Sequence, residues 1–145
     1  MEDMFQADKS TGADIALALG NLLREHKGGD VAVLDLRELN GWTDFFVIAT
    51  VTSGAHQQGL ERHVKEFSRE RGVEIQRRSR KPGAGVSAVD EWCLIDMGSI
   101  VIHLMTSQAR SFYELERLWS AAPRIDIPEK IPAHEGPRKT PEPGV

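Results

Sequence analysis

Two apolar runs, EWCLIDM (91–97) and IVIHLM (100–105), flank the pair Gly98-Ser99, and nothing else in the chain constrains the fold as tightly. Runs of this length and composition read as strands, and Gly-Ser between them reads as a two-residue turn, so an antiparallel hairpin is predicted. A two-residue turn at either Met97-Gly98 or Gly98-Ser99 fixes which side chains share a face. Trp92, Leu94 and Asp96 fall with Val101, His103 and Met105. Asp96 and His103 are then several residues apart across the pair, within reach only diagonally or through water.

The rest of the chain can be arranged around that hairpin. VAVLDLRE (31–38) and DFFVIATV (44–51) read as strands, and the short LNGWT connection makes them antiparallel neighbours. A helix is predicted from a cap at Ser10 or Thr11 to about Lys27, with Ile15, Leu19, Leu22 and Leu23 on one face and Gly28-Gly29 ending it. A second helix opens on Thr52 or Ser53, carries Leu60, Val64 and Phe67, and ends at Gly72. It leads to a strand at about 73–78, so residues 44–78 read as a right-handed strand–helix–strand crossover. Residues 79–88 read as a Gly/Pro/Ser loop, and 108–119 as a third helix with Phe112, Leu115 and Trp119 on one stripe. Arg110, Tyr113, Glu116 and Arg117 lie opposite that stripe, and Tyr with Arg is the pairing that interfaces favour.

The fold class expected is α+β, a mixed sheet of about five strands flanked by three helices. The domain spans about 11–120. Residues 1–10 read as a flexible N-terminal tail and 121–145 as a disordered C-terminal one, because six of the seven prolines lie from Pro123 onward. At 145 residues and 40% hydrophobic, the chain has material for one sizeable core without disulfides or metal. No apolar run nears the roughly 20 residues of a bilayer span, and MEDMFQADKS is acidic and polar, unlike a signal or transit peptide. The lone Cys93 fits a reducing cytosol.

Net charge is −4, which disfavours a protein held on nucleic acid mainly by phosphate contacts. The charge is uneven: −5 over residues 1–60, +4 over 61–81 and −3 over 82–145. The basic segment ends in Arg77, Arg78, Arg80 and Lys81, candidates for a minor phosphate contact, while the acidic body suits a basic protein.

Chemistry is harder to find. His103 near Asp96 is a possible base, with Ser99 and Ser107 the nearby hydroxyls, but no G-x-S-x-G elbow exists. Among His26, His56, His63, His103 and His134 no metal-binding spacing occurs, and His56 and His63 are two helical turns apart. ATVTSGAHQ places a helix N-terminus after a strand, where anions bind, yet it lacks the P-loop Lys, and capping accounts for Thr52 and Ser53. A nucleotidyltransferase needs two carboxylates on the strand after a Gly-Ser turn, and IVIHLM has none. No catalytic, cofactor or metal residue is assigned. A nucleotide-binding or transferase-like enzyme at 50–56 and an RNA-binding module led by Arg77–Lys81 stand as alternatives.

Three segments, GWTDFFVIATVTS (41–53), EWCLIDMGSIVIHLM (91–105) and RSFYELERLW (110–119), together resemble the ribosomal silencing factor family, RsfS or Iojap. The matching positions include Thr43, Asp44, Thr50, Thr52, Ser53, Trp92, Asp96, Gly98 and His103, then Arg110, Tyr113, Leu115, Glu116, Leu118 and Trp119. Val51 departs from the family's usual Gly, and RKPGAGVSAV (79–88) replaces a shorter, less basic connection. The resemblance implies a nucleotidyltransferase-like fold without catalytic acids and a non-enzymatic role in the cytoplasm. It implies binding to the large ribosomal subunit through its protein numbered fourteen, blocked subunit joining, lowered translation when nutrients are short, and a homodimer in the free state. The partner-binding residues it points to are Thr43, Asp44, Trp92, Asp96, His103, Arg110, Tyr113 and Glu116.

Overall fold

A computed structural model describes residues 12–39, 43–82 and 90–128, so both predicted tails fall wholly or largely outside the described residues. The elements in chain order are α1 (Gly12–Glu25), β1 (Gly29–Asp35), β2 (Phe45–Val51), α2 (Gly54–Arg71), β3 (Arg77–Pro82) and β4 (Asp90–Asp96). β5 (Ile100–Thr106), α3 (Ser107–Tyr113), α4 (Leu115–Leu118) and β6 (Arg124–Ile125) follow. The strands make one six-stranded sheet in the order β3-β4-β5-β2-β1-β6. β2 and β5 pair parallel at its centre, and every other pairing is antiparallel.

Burial follows from that order. The central strands are covered on both faces, so β2 and β5 are apolar almost without interruption. On one face Phe45, Val47 and Ala49 of β2 with Ile102 and Leu104 of β5 meet Leu19 and Leu23 of α1 and Leu60 and Val64 of α2. On the other, Phe46, Ile48, Val101 and Met105 meet Ala109 of α3, Leu115 of α4 and Ala122 beyond it. That second cover is thin, and among the described residues it leaves one side of the β3–β4 edge largely open.

The hairpin forms as expected. Trp92 pairs with Met105, Leu94 with His103 and Asp96 with Val101. Gly98 takes φ +86°, the first-position requirement of a type II′ turn, while Met97 N–H donates to Ile100 O at 2.8 Å. α2 is capped as predicted, by the Ser53 hydroxyl accepting from His56 N–H and by left-handed Gly72. The β1–β2 pair is antiparallel, and β3 runs parallel to β2, as a crossover requires. Val51 is an ordinary buried strand residue opposite Thr106, so the position needs no glycine conformation.

The sheet expected with about five strands has six. Three expectations are corrected. The strand expected at 73–78 lies at 77–82, taking residues 79–82 out of the predicted loop; 83–89 lie outside the described residues. The helix expected over 108–119 is two helices, broken at Glu114, whose φ of +50° is left-handed. The break destroys the Phe112–Leu115–Trp119 stripe and leaves Phe112 77% exposed. Finally, the domain does not end at 120. Asp35 N–H donates to Pro123 O, Leu34 and Val33 pair with β6, and Arg24 donates to the carbonyls of Ile127 and Pro128. Gly20 is tight enough against Ile127 that an added Cβ would stand 3.0 Å from its Cδ1. Residues 122–128 are thus a strap along β1, not tail.

Candidate functional site

The open side of β3–β4 is where the hairpin face surfaces. Trp92 and Leu94 are half-buried there, with Lys81 paired opposite Trp92, Ser79 opposite Leu94 and Arg77 opposite Asp96. Ser79, Arg80, Lys81, Trp92 and Leu94 line a shallow hollow of about 250 Å3. From α3 the Tyr113 ring comes to 4.8 Å of the Trp92 ring, and Phe112 stands edge-on to Tyr113 at 4.9 Å. A half-buried Trp and Tyr beside an exposed Phe make a rigid apolar ledge with a basic rim. Such aromatic clusters are the usual anchors of protein interfaces.

His103 lies beneath this ledge, 2% exposed. The Trp92 indole Nε1–H donates to its Nδ1 at 3.0 Å, and the Phe46 ring meets it edge-on at 4.4 Å. An indole N–H only donates, so Nδ1 is the acceptor and the imidazole proton sits on Nε2. Burial pushes the His103 pKa down to about 3, which keeps the ring neutral. Nε2 has no hydrogen-bond partner among the described residues. With its acceptor occupied by Trp92 and its other nitrogen closed off, His103 is not placed to take a proton from Ser99 or Ser107. Asp96 does not reach it either. Its Oδ1 accepts from Gly98 N–H at 2.9 Å and so holds the turn.

The remaining predicted residues divide. Tyr113 joins the ledge. Arg110, at 10% side-chain exposure, is spent inside the molecule: it donates twice to Glu116 at 2.9 Å, to Thr50 Oγ1 at 2.9 Å and to Gly29 O at 3.2 Å. Hydrogen bonding from Arg110 holds the Glu116 carboxyl below its ordinary range. This pair ties α3 and α4 to the sheet and offers a partner little. Thr43 is buried at the hairpin end, its hydroxyl donating to Gly98 O at 3.2 Å. Asp44 beside it is exposed, and its N–H donates to Ser99 O at 2.9 Å.

The basic run separates by alternation. Arg78 and Arg80 face α2, where both pair with Glu61, 5% exposed, and Arg80 also with Asp90. Arg77 and Lys81 point to the open side. Cys93 is buried against the same Glu61, its thiol donating at 3.4 Å. Burial first, then the Glu61 charge, push that thiol up to about 12. Leu94, Phe112 and Leu118 (73% exposed) are ledge or surface residues that the sequence reading named but did not count among the partner-binding ones. Leu94 was legible by alternation with Trp92; Phe112 and Leu118 were not, because the helix break hides them.

Elsewhere the chemistry stays bland. His56 is occupied at both nitrogens, accepting from Thr52 N–H at 3.1 Å and bonding His26 O at 3.1 Å, while His26 and His63 stack at 3.6 Å. Among the described residues no three His, Cys, Asp or Glu side chains converge to hold a metal; His134 lies outside them. The strand after Gly98-Ser99 carries no carboxylate in its seven residues, IVIHLMT.

The open α+β sheet is shared with solved proteins. A crystal structure from Chromobacterium violaceum matches with a TM-score of 0.66 at 28% identity, covering 77% of this chain and 88% of that one. One from Bacillus halodurans matches with a TM-score of 0.58 at 30% identity, covering 76% and 95%. In sequence, the chain is 40% identical over 105 residues to the ribosomal silencing factor RsfS of Treponema pallidum, covering 72% of this chain and 88% of that protein. It is 29% identical over 121 residues to the chloroplastic protein Iojap of Zea mays, covering 83% of this chain and 50% of that one. The family model described as ribosomal silencing factor during starvation matches residues 9–143. The chain belongs to that family, which is not a known enzyme family. The match also runs past the boundary at 120 that composition had drawn.

Proposed function

We propose that this protein docks on the large ribosomal subunit, keeps the small subunit from joining, and so lowers translation when nutrients are limiting. The observation that carries the reading is the bare aromatic ledge of Trp92, Leu94, Tyr113 and Phe112 on a member of the silencing-factor family. The mechanism is steric: a domain seated on the joining face excludes the other subunit without any reaction. The partner proposed is the large subunit's protein numbered fourteen, as the resemblance over 41–53, 91–105 and 110–119 implies. A net charge of −4 suits a basic ribosomal protein, and Arg77 and Lys81 on the rim suit ribosomal RNA phosphate at the margin of the contact. Arg78 and Arg80 are committed to Glu61 and drop out of that role. Homodimerisation of the free protein and action in the cytoplasm belong to the same proposal. No helix among the described residues is long and apolar enough to cross a membrane.

The test mixes purified subunits under joining conditions and sediments them with rising amounts of protein. The wild type should travel with free large subunits and deplete joined ribosomes. Trp92→Ala should weaken that binding about thirtyfold, the equivalent of about 2 kcal/mol for a central aromatic anchor. A melting curve runs beside it, because Trp92 also packs against the second core. A folded Trp92→Ala protein that still blocks joining refutes the ledge as the docking surface.

A further inference from the structure

We infer that His103 is a positioning residue, whose Nδ1 fixes the Trp92 indole in the orientation that the docking partner meets. The inference rests on the ledge being the docking surface. It begins from a position that looks wasteful. His103 sits among Phe46, Trp92 and Leu94 on a nearly dry sheet face, where an apolar side chain would pack without polar cost. Its Nε2–H is buried without a partner among the described residues, an arrangement that ordinarily costs stability. Only Nδ1 makes a hydrogen bond, and the bond goes to the one half-exposed Trp of the ledge.

Trp92 does not need that bond to be satisfied. A half-exposed indole can give its N–H to water, whereas accepting it from below pins the ring's rotation about both side-chain torsions. Tyr113 leans on the same indole at 4.8 Å, so fixing Trp92 also fixes the seat of Tyr113. A preorganised aromatic anchor does not lose rotamer freedom on binding, and that saving appears as affinity. His103 supplies the only side-chain acceptor to this indole among the described residues. It touches no partner itself.

The experiment uses the full chain with isolated large subunits and five variants: His103→Phe, Trp92→Phe, the double variant, Trp92→Ala and His103→Asn. Phe at 103 keeps a ring against Phe46 and removes the acceptor together with the orphaned N–H. His103→Asn, whose amide oxygen falls near the position of Nδ1, is the rescue. Two quantities are read. One is subunit affinity; the other is solvent exchange of the Trp92 indole N–H by nitrogen-15 NMR, its peak identified among the three tryptophans by its loss in Trp92→Phe. His103→Phe should speed indole exchange and weaken binding about three- to tenfold, the scale of ordering one large side chain. It should have no further effect in the Trp92→Phe background, and His103→Asn should restore both readings.

Binding that falls with Trp92→Ala but ignores His103→Phe overturns the positioning role and leaves the docking surface standing. Equal loss from His103→Phe with and without the Trp92 indole also overturns it, because the effect then travels by another route. Indifference of binding to Trp92→Ala brings down the docking surface, and the positioning role with it, even with a slowly exchanging indole.

Discussion

Replacing His103 by Phe should remove a large acid sensitivity from the fold. In the folded protein burial holds the His103 pKa down to about 3, against an ordinary value of 6.5 in the unfolded chain. The unfolded state therefore binds a proton that the folded state refuses, and stability must rise with pH across that interval. Equivalently, stability is fully present above 6.5 and is lost as pH falls toward 3. The whole separation corresponds to about 5 kcal/mol, at about 1.4 kcal/mol per unit. At pH 4.5, two units below the unfolded value, the cost is already about 2–3 kcal/mol. Urea unfolding at pH 7.0, 6.0, 5.0 and 4.5 measures it. The difference in stability between His103→Phe and wild type should shift by about 2–3 kcal/mol in favour of the variant between the first and last pH, since effects of other groups are common to both proteins. Parallel pH profiles for the two proteins would show that His103 is not buried neutral, and the tautomer drawn from the Trp92 bond would fall with it.

The strap makes a truncation decisive: ending the chain after Pro128 should leave the melting temperature close to full length, whereas ending it after Ala122 should cost about 1–3 kcal/mol. That figure is the partial burial of Ile125 and Ile127 plus a few backbone hydrogen bonds, less the entropy of ordering six residues; equal melting of both truncations contradicts it. Cys93 should resist a thiol reagent at pH 8 in the native protein and react fully once unfolded, because its thiol lies at about 12 and is buried; native labelling refutes the burial. Arg110→Met should cost about 1–3 kcal/mol in a denaturant melt through loss of its bonds to Glu116, Thr50 and Gly29. The folded fraction should bind large subunits as the wild type does, and a binding loss without a stability loss would return Arg110 to the interface.

What the chain made legible and what it hid follow from the range of the forces involved. The hairpin face was readable because a two-residue turn at either Met97-Gly98 or Gly98-Ser99 puts the same side chains together, and α2 because Ser53 and Gly72 mark its ends. β3 was misplaced because its inward residues are charged. Arg78 and Arg80 point at Glu61, some 17 and 19 positions away, and no local pattern announces that partner. The strap was read as tail on proline content and the lack of a helical period. Proline lacks a donor but keeps its carbonyl, and it is the carbonyls of Pro123 and Pro128 that Asp35 and Arg24 use. In the site, Trp92, Tyr113 and His103 came from the resemblance and the hairpin face, while their mutual geometry could not. Arg110 and Glu116 were placed on the partner surface because nothing in a continuous helix brings residues six apart together.

Glu114 explains why those two side chains meet. A left-handed residue at that position ends α3 and restarts the chain as α4 in a new direction. The turn swings Glu116 back to Arg110 and lays Trp119 edge-on against Phe46 at 5.7 Å, closing the centre of the sheet. The same turn leaves Phe112 out in solvent beside Tyr113, and among the described residues only the end of α3, through Tyr113 on Trp92, reaches β4. Apolar surface left bare gives up stabilisation of about 25 cal/mol per Å2, so a fold can leave such a strip open only where the rest is well covered. Here the double-covered β2–β5 centre supplies that reserve, and His103 sits at the boundary between the closed centre and the open edge. From that boundary it anchors the one indole that belongs to both, packing with the core on one side and facing a partner on the other.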